Sequence, residues 1–159
     1  MSALDGTYTW QGRSAECDPA DRAYGCAVGF GRVVNHNAPS LYRFSWWGFS
    51  DLDSTATVRL ETIGNGEIRV TATATDGTVE TAGMRVRLHD DGTVRLRGDG
   101  PLVGAPPFVW SVGTLRSRLA LDARGDLIYD WNGLGVGFFT LIPVMAAGGR
   151  GTLTFRRIE

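Results

Sequence analysis

Three tyrosines, Tyr8, Tyr42 and Tyr129, are the side chains in this sequence best suited to act on a bound molecule. Each falls on the apolar side of a stretch in which apolar and polar residues alternate, so strands would aim all three at one interior. An unperturbed phenol titrates near pH ~10, so at neutral pH it donates a hydrogen bond rather than taking a proton. Such donors orient or polarise a carbonyl. On the same apolar side lie Trp10, Phe44, Trp46, Met84, Phe108, Trp110 and Trp131, which bring large surfaces and, in the tryptophans, flat faces for stacking on a conjugated chain. Packed tightly, these rings are a core; held apart, they line a pocket for a hydrophobic ligand. The pocket is the expectation, because so many phenol and indole tips are hard to satisfy in a sealed core.

What the sequence lacks narrows the chemistry further. His36 falls in a turn and His89 at a strand end beside Asp90 and Asp91, both surface positions, and no serine or cysteine is paired with a base. Glu80 and Asp130 are the acids nearest the aromatic stretches, and alternation points Asp130 outward. Catalysis without a nucleophile, a metal or a cofactor is then a matter of holding reacting ends together. The run Gly133-Leu134-Gly135-Val136-Gly137 has the spacing of a phosphate loop but not its strand-turn-helix setting. Arg85, Arg87, Arg95 and Arg97 fall on the outside of one hairpin, without interleaved aromatics, and read as a solvated face.

The stretch that must position most of these residues is Tyr42-Arg43-Phe44-Ser45-Trp46-Trp47-Gly48-Phe49. As a strand it sends Tyr42, Phe44 and Trp46 to one side and Trp47 and Phe49 to the other, where a second subunit would cover them. Before it, 6–13 alternates around Tyr8 and Trp10, and 24–34 reads as a glycine-rich strand followed by the turn Asn35-His36-Asn37-Ala38-Pro39. After it, Val58 and Leu60, then Ile68, Val70, Ala72 and Ala74, then Ala82, Met84, Val86 and Leu88, then Val94 and Leu96 make successive inner faces. Asp76-Gly77 and Asp91-Gly92 turn the chain between them. A Gly/Pro-rich loop over 98–107 precedes a long strand from Phe108, whose inner parity shifts near Gly113 and predicts a bulge there. Leu127, Tyr129 and Trp131 follow, then a glycine-spaced run that stops at Pro143, and a last strand through Leu153, Phe155 and Arg157.

No segment of this chain has sustained helical periodicity. About ten short strands joined by regular turns predict an all-β fold, a single up-and-down antiparallel β-barrel of 8–10 strands spanning 1–159 as one domain, with a sandwich as the alternative.

Composition sets the class. A hydrophobic share of 43% and net charge of −1 describe an ordinary globular domain and exclude a broad electrostatic footprint for nucleic acid or an anionic membrane. All sixteen basic residues are arginine, the mark of a GC-rich genome and hence of a bacterial source. The N-terminal residues have neither a basic region nor an apolar run, and no window reaches the ~18 apolar residues of a membrane-spanning helix. A cytoplasmic location is the expectation, with Cys17 and Cys26 reduced; in an exported chain the same pair would close a disulfide across one loop.

The opening Gly6-Thr7-Tyr8-Thr9-Trp10 and the closing Gly151-Thr152-Leu153-Thr154-Phe155-Arg156-Arg157 resemble the first and last strands of calycins, the barrel superfamily of lipocalins, fatty-acid-binding proteins and nitrobindin-like proteins. That resemblance implies a hydrophobic ligand in the barrel and an arginine of the last strand, Arg157 or Arg156, covering Trp10. In size and style the chain is also similar to small cofactor-free bacterial cyclases of secondary metabolism, including those that close rings by [4+2] addition. The resulting expectation is a cofactor-independent cyclase or isomerase of a hydrophobic, polyketide-like substrate, with Tyr8, Tyr42 and Tyr129 catalytic. A non-catalytic carrier or sensor of a lipid or pigment is the alternative. The expected partners are that small molecule and, through Trp47 and Phe49, a second copy of the chain.

Overall fold

The computed structural model describes residues 2–17, 26–37, 55–64, 66–96, 103–105 and 109–159; for 35–37, 103–105, 109–112, 144–145 and 147 the description is of the backbone. The aromatic stretch with Tyr42, Phe44, Trp46, Trp47 and Phe49 lies outside the described residues, as does Phe108.

Eleven strands and one short helix follow in chain order. They are β1 (Gly6–Thr9), β2 (Gln11–Ser14), β3 (Ala27–Gly29), α1 (Gly31–Asn37), β4 (Thr57–Thr62), β5 (Glu67–Thr73) and β6 (Val79–Leu88). Then come β7 (Val94–Leu96), β8 (Val103–Ala105), β9 (Val109–Leu121), β10 (Leu127–Phe139) and β11 (Ile142–Phe155). All pair antiparallel in one sheet, in the order β1-β4-β5-β6-β7-β9-β10-β11-β2-β3, with β8 added on β9. The protein is all-β, and the sheet curls into a half-barrel.

Alternation explains β4 to β7. Val58 and Leu60, Ile68, Val70 and Ala72, Ala82, Met84 and Val86, and Val94 and Leu96 are all 4% exposed or less, while their neighbours are wet. Leu88 departs from its expected inner place and is 41% exposed. The β5–β6, β6–β7 and β9–β10 hairpins turn on a glycine with positive φ, a conformation that a Cβ disfavours, at Gly77 (86°), Gly92 (79°) and Gly125 (87°), whereas the β10–β11 turn places Thr140 there (55°).

β1 and β2 are one strand broken at Trp10, whose amide donates to Ala56 O while its carbonyl accepts from Phe30 N. β1 lies between β4 and the chain's last residues. Thr9 N donates to Arg156 O (2.8 Å), Ile158 N to Thr7 O (2.8 Å) and Thr7 N to Glu159 O (3.1 Å). The two sides of the curled sheet are thus joined at this end.

Several expectations give way here. The expected strand over 24–34 is only Ala27–Gly29 among the described residues, and Gly31–Asn37, which takes in the first three residues of the predicted turn, is helical. Phe30, Val33 and Val34 are fully buried at the i, i+3, i+4 spacing that one helix face provides. No bulge occurs at Gly113, for β9 pairs with β10 in unbroken register from Val109 to Leu121. A Cβ there would come within 2.5 Å of Leu134 O and 2.9 Å of Gly135 Cα, so glycine serves the close approach of two strands. Pro143 does not stop the run. It sits within β11 where the register shifts opposite Gly137 and Phe138, on a stretch of β11 that pairs only with β10 among the described residues. An edge position beside an irregularity tolerates a missing amide hydrogen. Cys17 and Cys26, expected to be reduced, form a disulfide with Cα atoms 5.6 Å apart.

Candidate functional site

The core fills one half of the curl. Its last full row is Leu119–Tyr129–Leu153, whose members are 4% exposed or less. Beyond that row β9, β10 and β11 continue together as far as Phe139, about 33 Å at ~3.3 Å per residue. On the core-side face of this extension the register sets three rows: Ser117–Trp131–Gly151, Leu115–Gly133–Gly149 and Gly113–Gly135–Ala147. Glycine dominates them, and Trp131 stands at their inner boundary, partly buried and packed against the core.

The indole of Trp131 lies flat across β11. A Cβ at Gly151 would be 2.8 Å from its Nε1, and one at Gly149 would be 2.9 Å from its Cη2. Real Cβ atoms do not come so close to a rigid ring, so the two glycines hold the indole down on the sheet. The result is an aromatic step at the edge of a surface that, among the described residues, is mostly bare backbone.

The residues selected from sequence separate into three groups. Tyr8, Trp10, Met84 and Tyr129 are 0–1% exposed and belong to the core. A void able to hold a ligand leaves accessible surface on the groups that line it, and these four have almost none. Tyr42, Phe44, Trp46 and Phe108 lie outside the described residues, and of Trp110 the backbone is described, opposite Phe138. Among the described side chains of the ten, Trp131 joins the core to the extension. Of the polar tips that favoured a pocket, that of Tyr8 is satisfied by the protein itself. The Tyr8 hydroxyl donates to Leu4 O at 2.9 Å, and none of Trp10, Tyr129 and Trp131 is without a partner.

Tyr8 is further from acting as a base than a free phenol. Burial pushes its pKa up, the Arg157 guanidinium opposes the shift only in part, and the Asp5 carboxylate adds to it. That guanidinium stands 5.8 Å from the Tyr8 ring centroid and donates from Nη2 to Asp5 O at 2.9 Å. The last-strand arginine therefore covers Tyr8, two residues before the Trp10 that the calycin resemblance implied. Among the described residues no group of His, Cys, Asp and Glu is placed to hold a metal ion.

The opposite face of the same strands was missed from sequence. There Arg95, Arg118, Asp130 and Thr152 form one cross-strand row, and Arg116, Asn132 and Arg150 form the next. Between them runs a groove of about 410 Å³, closed at one side by Glu16. Its floor is the row Ser117–Trp131–Gly151, which presents backbone because its side chains point to the core side. Asp130 is held by Arg118 Nε at 2.9 Å and the Thr152 hydroxyl at 2.7 Å. The alternation of Arg116 and Arg118 was a visible signal, but their alignment with Arg95 and Arg150 depends on register between strands distant in the chain.

No protein-family model, curated protein or solved structure matches this chain.

Proposed function

We propose that the protein binds a hydrophobic small molecule in the open half of the curled sheet, against the glycine-rich rows of β9–β11, with the Trp131 indole as its stacking surface. The observation that carries this reading is the change in the core-side face at Trp131. On one side of it the rows Leu119–Tyr129–Leu153 and Leu121–Leu127–Phe155 are filled by buried side chains, Leu121 partly so, and on the other the register places glycine after glycine. Bare peptide planes beside an indole suit a flat or conjugated apolar molecule, and a concave, largely apolar surface is the usual form of such a site. Tyr42, Phe44, Trp46 and Phe108 remain the candidates to complete the lining, whereas the unbroken register of β9 gives Trp110 the parity of Arg116 and Arg118 and so the opposite face.

Turnover, in this reading, is cofactor-independent cyclisation or isomerisation of the bound chain, with the surface supplying orientation rather than a nucleophile. Carriage or sensing of a lipid or pigment is the alternative, and it requires only the apolar surface. Membership of the calycin-like barrels and a bacterial source belong to the same proposal. Of location, no helix among the described residues is long and apolar enough to cross a membrane. A cytoplasmic site of action belongs to the same proposal, and the Cys17–Cys26 disulfide weighs against it, toward an oxidising compartment.

Native mass spectrometry of protein taken from its own host, paired with fluorescence titration by a hydrophobic dye, tests the reading. A co-purifying apolar molecule is expected, with dye binding weakened at least about tenfold by Trp131→Ala, the loss of one stacked aromatic contact. No co-purified molecule, together with emission unmoved by the dye, would sink it. A mass change in the recovered ligand on incubation separates the enzyme from the carrier.

A further inference from the structure

We propose that the groove on the outer face of β7, β9, β10 and β11 is a binding site for a compact oxyanion, a phosphate or carboxylate group carried by a small molecule. The site is separate from the core-side surface and its occupant is of the opposite chemical character.

Charge is the first argument. Arg95, Arg116, Arg118 and Arg150 line the groove, against the carboxylates of Asp130 and Glu16. Asp130 is already engaged by Arg118, and Arg95, Arg116 and Arg150 make none of the ion pairs found among the described residues. Cationic groups thus gather around one depression in a chain whose net charge is −1. The absence of lysine in the whole chain means that the choice of arginine over lysine says nothing here; the positions of these arginines do.

Asp130 offsets Arg118, but Arg87 and Arg95, in none of the ion pairs found among the described residues, hold positions that are unfavourable without a counter-ion. Arg87 is directly opposite Arg95, and Arg95 is directly opposite Arg118. Like charges at opposed strand positions repel across a short gap and destabilise the pair. One row further, Arg116 and Arg150 flank the uncharged Asn132 on both sides. An oxyanion seated between the rows relieves the repulsion, and the planar guanidinium fork meets phosphate or carboxylate oxygens two at a time.

Size decides the class of ligand. About 410 Å³ is the scale of a small-molecule pocket rather than of a track for a polymer. The floor adds to the fit, since between the two rows the strands present peptide groups instead of side chains.

Isothermal titration with inorganic phosphate, pyrophosphate and succinate, at low and raised salt, tests this on the whole chain. At least one probe is expected to bind saturably, more weakly at raised salt. Its dissociation constant should rise about tenfold or more in Arg116→Gln and in Arg150→Gln, each the loss of one charge-assisted contact. Arg59→Gln, on β4 away from the groove, should leave binding unchanged. Both groove positions are exposed on the sheet surface, so the variants should keep the wild-type unfolding midpoint, which confirms that they remain folded. Preference between phosphate and succinate identifies the head group. No saturable binding of any probe, or binding that persists in both groove variants, overturns the proposal. So does an equal loss in Arg59→Gln.

Discussion

Arg157→Ala tests whether the two ends of the chain are clamped by one side chain. Its guanidinium donates from Nη2 to Asp5 O at 2.9 Å and from Nε to Glu159 O at 3.2 Å, and covers the fully buried ring of Tyr8 at 5.8 Å. A hydrogen bond from a charged donor contributes about 1.5–3 kcal/mol, and the low end applies here because the arginine is partly wet. The cation over the ring adds about 0.5–1 kcal/mol. The bond to Glu159 is exposed and is counted as nothing. The backbone bond from Arg157 N to Asp126 Oδ1, 2.9 Å, survives the substitution. The sum is a loss of about 2 kcal/mol, which for a chain of this length lowers the thermal midpoint by about 4–8 °C. Urea unfolding followed by far-UV circular dichroism should show the midpoint falling with the slope unchanged. Arg157→Lys keeps the charge without the fork and should restore less than half. Arg156 is the internal control, adjacent and exposed. Arg156→Ala should cost under about 0.5 kcal/mol. Equal losses at the two positions would refute the clamp.

Two further outcomes follow from local contacts. Burial raises the pKa of Asp5, but hydrogen bonds from the Thr62 hydroxyl (2.7 Å), the Thr62 amide (2.8 Å) and the Ser2 amide (3.0 Å) outweigh it, and the carboxyl titrates below its usual range. A depressed folded-state pKa stabilises the protein fully above the unfolded value near ~3.9 and loses that contribution as pH falls through the folded value. The stability difference between wild type and Asp5→Asn, measured by urea midpoints, should therefore be constant from pH 7 to about 5 and shrink on further acidification; a difference that widens in acid contradicts the assignment. At Gly151 an alanine Cβ must displace the Trp131 ring, so Gly151→Ala should cost about 1–2 kcal/mol and shift the tryptophan emission. Gly133→Ala meets only the Leu115 Cδ1 at 3.3 Å and the Thr114 carbonyl at 3.5 Å, and should stay within about 0.5 kcal/mol of wild type. Equal costs at the two glycines would show that the indole does not rest on Gly151.

The sheet was legible wherever one face of a strand is buried and the other wet. Ile68, Val70 and Ala72 alternate with Glu67, Arg69 and Thr71, and Gly77 and Gly92 close the hairpins that follow, so strand, face and partner follow from local pattern. Helix α1 was not legible because seven residues offer barely two turns, and Phe30, Val33 and Val34 also fit a strand whose other face is glycine. The bulge at Gly113 was an error of a different kind. A shared face for Trp110, Val112, Leu115 and Leu119 would need a bulge, whereas the unbroken pairing of β9 gives the two pairs alternate faces. The Arg157 contact slipped by two residues, from Trp10 to Tyr8, and a shift of two in a strand keeps the same face, so periodicity cannot distinguish them. The outer arginine rows depend on β7 pairing with β9 while β8 is passed over, and no local pattern encodes that order.

The glycines of the extension separate packing from the candidate site. Gly149 and Gly151 are accounted for by the Trp131 ring above them, and Gly113 by the backbone of Leu134 and Gly135 beside it. Those three would be required even if no ligand ever bound. Gly133 is different, since its nearest neighbours would accept a methyl group with a shift of a few tenths of an ångström. Its lack of a side chain is not forced by the fold. The case for an open surface therefore rests on the row Leu115–Gly133–Gly149 and on the exposed edge of Trp131, not on glycine content as a whole. This is also the row directly above the Ser117–Trp131–Gly151 floor of the arginine groove, so β10 carries both candidate sites within four residues, Asp130 to Gly133. Successive side chains of a strand point to opposite faces, which lets one short segment present an apolar step on one side and an ion-paired carboxylate on the other without either displacing the other.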